Sequence, residues 1–188
     1  MKKKIAIVVS VLLVFATLLC TACGNKEPEA ETPQEGLSSV EINVGTGGTT
    51  GTYYGFCNVI SSLLKEKTGA NLMIQSSGAS KANILDIDEG IVDMAIVQND
   101  VMDYAYNGTS LFADVGAIKS FSTLGAVYAE VCQVIARADS GIKTVADLKG
   151  KNVAIGDAGS GVFYNATQIL AAAGIDYETD IKATFASF

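Results

Sequence analysis

The sequence predicts an α/β fold built on a mainly parallel sheet, and three observations carry that prediction. Strand-like and helix-like apolar patterns alternate along the body from Val40 onward. The segments between them are polar and rich in glycine, serine and threonine. Those polar segments recur after a strand and before a helix, which is the edge where parallel sheets bind ligands.

Taken in order, residues 40–44 form the first expected strand, and residues 53–67 a helix with Val59, Ile60, Leu63 and Leu64 as an apolar stripe at helical spacing. Helices on both faces of the sheet are expected to bury such Ile, Val, Leu and Ala side chains. Residues 71–75 are the second strand, followed by the serine-rich segment 76–80 and a helix through Ile84, Leu85 and Ile87. The third strand, 93–97, runs into Gln98, Asn99 and Asp100 and a short helix near 101–106. An apolar run at 124–128 and a strand at 131–136 come next. Thr144 and Asp147 have the spacing of a capping box, with Asp in place of Glu, for a short helix ending at Gly150. A strand at 152–155, a glycine-rich loop at 156–161, a helix at 162–173 with Gly174 placed to stop it, and a strand from 181 complete the pattern.

The start of the chain reads as an export signal. Lys2, Lys3 and Lys4 precede an apolar stretch from Ile5 to Leu19, and small residues lead into Cys23. A spanning helix needs roughly 20 apolar residues, and this run falls short. Residues 1–22 are therefore expected to be a leader, with Cys23 rather than Cys20 as the lipidated new N-terminus, because Cys20 follows bulky Leu18 and Leu19. Residues 24–39 are polar and acidic and carry both prolines, Pro28 and Pro33, the composition of a flexible tether. Cys57 and Cys132 remain in the body, as one disulfide or, by default, as two buried thiols.

Charge and composition exclude whole classes of function. The formal charge of −7 is the wrong sign for nucleic acid, and losing Lys2, Lys3 and Lys4 with the leader makes it −10. The chain has no histidine, so Ser-His-Asp catalysis and His-ligated metal sites are unavailable. An anionic small ligand is still compatible, since helix N-termini and backbone amides bind anions without net positive charge.

The candidate site lies in the polar loops. Residues 45–54 hold four glycines, four threonines and two tyrosines and no charge, with Gly48, Thr49, Thr52 and Tyr53 as candidate contacts. The loop fails the phosphate-loop pattern, having no Lys followed by Ser or Thr, and fails the dinucleotide pattern at Thr50. A tight strand-to-helix turn would also explain its glycines. Ser77 and Ser80 could meet a carboxylate, or Ser80 could simply cap a helix. Gln98 and Asp100 could reach a cleft, or Asp100 could cap the helix after it. Tyr128 and Glu130 suit a ligand amine or hydroxyl. Gly159 and Ser160 open another helix and offer a second anion site, or a glycine turn. Arg137, the single arginine, sits in a surface-turn sequence and is not assigned to the site.

In their order and spacing these segments resemble the TAXI family of TRAP-transporter substrate-binding proteins. The likeness runs through residues 45–54, 76–80 with Asn83, 93–101, 137–151 and 156–161, essentially the whole body. Thr50 and the Gly156-Asp157-Ala158 sequence depart mildly from the family's pattern. The resemblance implies a two-lobed periplasmic-binding-protein type II fold, with lobe 1 at 40–128 and lobe 2, incomplete, at 129–188. It implies a small organic anion as ligand, an amino acid such as glutamate or a dicarboxylate, and a TRAP membrane permease as partner. It implies an extracytoplasmic lipoprotein without catalysis, cofactor or metal. Two alternatives are a receptor of an ABC-type importer and a secreted enzyme using Ser160. The second lacks a Gly-x-Ser-x-Gly elbow and a histidine, leaving only Lys151 or a residue beyond Phe188 as activator.

Overall fold

The computed structural model describes residues 37–186. The leader, Cys23 and the tether as far as residue 36 lie outside the described residues, as do residues 187 and 188. Two parallel sheets organise the rest. In the first, β1 (Glu41–Gly45) lies between β2 (Asn71–Gln75) and β3 (Met94–Ala95), so Val44 faces Ile74 on one side and Met94 on the other. In the second, β4 (Asn152–Ala154) pairs with β5 (Lys182–Thr184).

Helices make the crossovers that parallel pairing requires. In the first sheet they are α1 (Thr52–Thr68) and α2 (Ser80–Asp88); α3 (Asn99–Asn107) follows β3 without joining two paired strands, and α4 (Gly161–Ala172) links β4 to β5. Glycine ends α1 at Gly69 and α3 at Gly108, both in the left-handed region. Gly108 is needed twice over, because a Cβ there would come within 2.6 Å of the Ala117 backbone nitrogen. The capping box forms as expected in the short 3-10 turn Val145–Leu148: the Asp147 carboxylate accepts from the Lys143 and Thr144 backbone N–H groups at 3.0 and 2.8 Å.

Each sheet has its own core. Ile84, Val101, Ala105, Phe112 and Ile118 pack together beside the first, and Leu148, Ile155, Leu170, Ile175 and Ile181 beside the second. Burial of one such side chain is worth about 1.5–3 kcal/mol, so a few residues hold each half.

Four expectations need correction. The apolar stripe of α1 largely faces solvent, with Val59 60% and Leu63 49% exposed. This helix rests on β2 through another side, where Cys57 is buried and the Ser61 hydroxyl donates to the Leu72 carbonyl at 3.3 Å. Periodicity finds an apolar face without finding its partner. No strand forms at 131–136, since a strand exists only by pairing and this segment has no paired neighbour among the described residues. Val131 is 75% and Ile135 87% exposed. The third strand shrinks to two residues, Met94 and Ala95, paired with Val44 and Gly45, since β1 ends at Gly45 and leaves Ile96 and Val97 no strand residue opposite them. Cys57 and Cys132 are both free thiols, but Cys132 is exposed rather than buried because it lies in that unpaired segment.

Candidate functional site

All five strands send the residues beyond their carboxyl ends into one cleft of about 200 Å3. Gly47 and Gly48 follow β1, Ala79 and Ser80 follow β2, and Gln98 follows β3. Gly156 and Asp157 follow β4, and Ala186 follows β5. That is the edge at which parallel α/β sheets bind ligands, and it follows directly from every strand pointing the same way within its sheet.

The wall after β1 is fixed by a buried amide. Asn83, fully buried on α2, donates from Nδ2 to the Thr46 carbonyl at 2.6 Å and to the Ile96 carbonyl at 2.8 Å. Its Oδ1 accepts from the Ser77 hydroxyl at 2.6 Å, and Ser77 Oγ accepts from the Ala79 N–H at 3.0 Å. One side chain thus ties together the chain leaving β1, β2 and β3. Gly45 must be glycine beside it, since a Cβ would stand 2.9 Å from Asn83 Oδ1. Thr46, also fully buried, adds a hydroxyl bond to the Gln75 carbonyl at 2.6 Å.

Two helix starts on this wall carry no side-chain cap. The N-cap of α1 is Gly51 and that of α2 is Ala79, and neither supplies a side-chain hydrogen bond to its helix. Their first N–H groups are therefore available to an acceptor, with the positive end of the helix dipole behind them. Ala79 holds φ +66°, a left-handed value that a residue with a Cβ adopts at a cost. Ser80 does not cap α2. It is fully buried, and its Oγ accepts from the Gln98 N–H at 3.1 Å.

The opposite wall caps itself. Ser160 Oγ accepts from the Phe163 N–H at 3.1 Å at the start of α4, with the hydroxyl proton left for another acceptor. The walls touch directly: a Cβ on Gly161 would lie 1.3 Å from Gln98 Oε1, so Gln98 rests against bare backbone. Tyr104 of α3 and Tyr164 of α4 add an edge-to-face contact with ring centroids 5.0 Å apart.

Two carboxylates, Glu130 and Asp157, and the Tyr53 phenol complete the cleft's chemistry, with Tyr128 beside them. The Tyr53 hydroxyl donates to Glu130 Oε2 at 3.1 Å. Burial raises the Glu130 carboxyl above its ordinary range, the Tyr53 hydrogen bond pulls it down, and the nearby Asp100 charge pushes it up again. Burial, then the Glu130 charge, holds the Tyr53 phenol well above its usual value. Tyr128 is pushed up to about 12 by the same two causes, and its ring meets Phe56 edge-on at 5.7 Å.

Of the residues singled out in the sequence, Gly48, Thr52, Tyr53, Ser80, Gln98, Glu130 and Ser160 line the cleft. Thr49, Ser77, Asp100, Tyr128 and Gly159 do not. Thr49 is exposed, Ser77 is committed to Asn83, and Asp100 Oδ1 accepts from the Val101 N–H at 2.9 Å in the first turn of α3. Tyr128 stands behind Glu130 against Phe56, and Gly159 supplies a turn at φ +84°. Sequence reasoning missed Ala79, Asp157, Val162 and Ala186 among the lining residues and Asn83 as the organiser. Asp157 belongs to a loop already recognised, whereas nothing local marks Asn83 as buried. Arg137 stays on the surface, paired through Nε with Asp139 Oδ1 at 2.9 Å. Among the described residues, neither Lys nor Arg lines the cleft.

Among the described residues, no helix is long and apolar enough to cross a membrane. Residues 44–188 match the NMT1-like family.

Proposed function

The chain belongs to the NMT1-like family, a solute-binding family of the periplasmic-binding-protein type, and on that premise we propose that it is the receptor of a TAXI-type TRAP transporter. It captures a small organic anion, such as glutamate or a dicarboxylate, and delivers it to a membrane permease. The protein acts outside the cytoplasm, held to the membrane by a lipid on Cys23 and lifted from it by the tether. Lobe 1 is residues 40–128 and lobe 2 begins at residue 129.

One observation supports this reading above the others: the ends of all five strands converge on one cleft whose helix starts at α1 and α2 are uncapped. Binding requires no reacting group there, only donors and a wall that can close. The residues for contact are Gly48, Thr52, Tyr53, Ser80, Gln98, Glu130 and Ser160. Mass spectrometry of small molecules released from the native full-length protein tests the reading. A carboxylic or amino acid at near-equimolar amount is the expected result. Calorimetry with a panel of such acids that shows no micromolar binding would sink it.

A further inference from the structure

The charge in the cleft is one-sided. Glu130 and Asp157 line it, and among the described residues no basic side chain does. On the wall after β1, donors come from the uncapped starts of α1 and α2. Glu130 is held at that wall by the Tyr53 hydroxyl at 3.1 Å, and Tyr53 stands in the first turn of α1. A donor-rich pole and a carboxylate pole thus share a cavity of about 200 Å3.

A ligand with carboxylates at both ends would satisfy the donor pole and meet repulsion at the other. A ligand with a carboxylate and an ammonium would satisfy both. We infer that Glu130 is the specificity residue of the cleft, receiving the ammonium of a zwitterionic amino acid while the helix starts receive its carboxylate. This rests on the receptor reading and narrows it, from organic anions in general to amino acids. The environment of Glu130 agrees: desolvation disfavours its ionised form, the Tyr53 hydrogen bond favours it, the Asp100 charge disfavours it again, and an adjacent cation would favour it further. The cleft discriminates by charge rather than by size, because an acid lacking the ammonium leaves Glu130 with the Tyr53 hydroxyl but no cation.

The test compares acids that differ only in the ammonium: glutamate against glutarate, and leucine against 4-methylpentanoate. Calorimetry on the full-length protein should show at least one amino acid binding about 10-fold or more tighter than its ammonium-free twin, the scale of a hydrogen bond to a charged group. Glu130→Gln should erase that ratio by weakening the amino acid and sparing its twin. Tyr53→Phe, which leaves the carboxylate in place without its donor, should reduce the ratio by a smaller factor. Circular dichroism and the thermal midpoint establish that each variant is folded. If every pair that binds does so within about threefold, or Glu130→Gln weakens both twins alike, the inference is overturned and the receptor reading stands. If no acid of either kind binds the wild-type protein, the receptor reading falls and this inference with it.

Discussion

The loop of residues 45–54 is fixed from outside, by Asn83 and Ser77, whereas the loop of residues 156–161 is fixed from within, by Ser160 capping the helix it opens. Both are glycine-rich, both precede a helix, and both line the same cleft. The difference lies in where the hydrogen bonds that set the backbone originate. A loop held by a neighbour can leave its own helix start uncapped, with its first N–H groups without a side-chain acceptor. A self-capped loop spends one of those groups on its own serine. Similar composition therefore yields one wall with bare helix-start backbone and another whose helix start is already capped.

Substitutions can break this comparison, and the largest effect belongs to Asn83. Asn83→Ala removes three hydrogen bonds and leaves the Thr46 and Ile96 carbonyls without that partner, so a stability loss of about 3 kcal/mol is expected in urea unfolding. A loss below about 1 kcal/mol would mean the first loop holds its shape without the amide. Next comes Gly161→Ala, whose new methyl occupies the place of Gln98 Oε1. The glutamine end must swing away, and ligand affinity should fall about 10-fold, near 1.4 kcal/mol. The double variant with Gln98→Ala should recover most of that loss; failure to recover would show that the two walls do not meet through this pair.

Smaller effects probe each loop alone. Ser160→Ala should cost about 1 kcal/mol through the lost cap on α4, read as a lower thermal midpoint. The equivalent position of the first loop, Gly51, has no such bond to lose, so a cap-removal penalty is expected on one wall only. Ala79→Gly should do the reverse and add about 0.5 kcal/mol, since glycine relieves the φ of +66° at some cost in chain entropy. Destabilisation by that change would place the value of Ala79 in its methyl packing rather than its backbone.

Much of this architecture was legible in the sequence. The strand at Asn71–Gln75 and the helix at Gly161–Ala172 follow from patterns only a few residues long, as does the Asp147 box. The loops of the site were legible too, because glycine and serine clusters at strand ends mark the binding edge of a parallel sheet. The roles of individual residues were less so. Ser80 looked like a cap and is instead a buried acceptor for Gln98, and Ser77 looked like a ligand contact and instead holds Asn83. A serine hydroxyl serves equally for either task, and the choice depends on what the fold brings within about 3 Å.

By itself, the sequence determined what the local chain can do: alternation of strands and helices, the absence of histidine, a single arginine, and glycines where turns need them. Tertiary structure alone decided which groups meet. It buried Asn83 between three loops, left Val59 and Leu63 on the outside of α1, and kept residues 131–136 out of any sheet. It also brought Gln98 against Gly161 and Tyr53 against Glu130, a pair 77 positions apart. The physical reason is range. Helical and extended periodicities are set by neighbours a few residues away, whereas burial, pairing and charge environment are set by segments that only folding brings into contact.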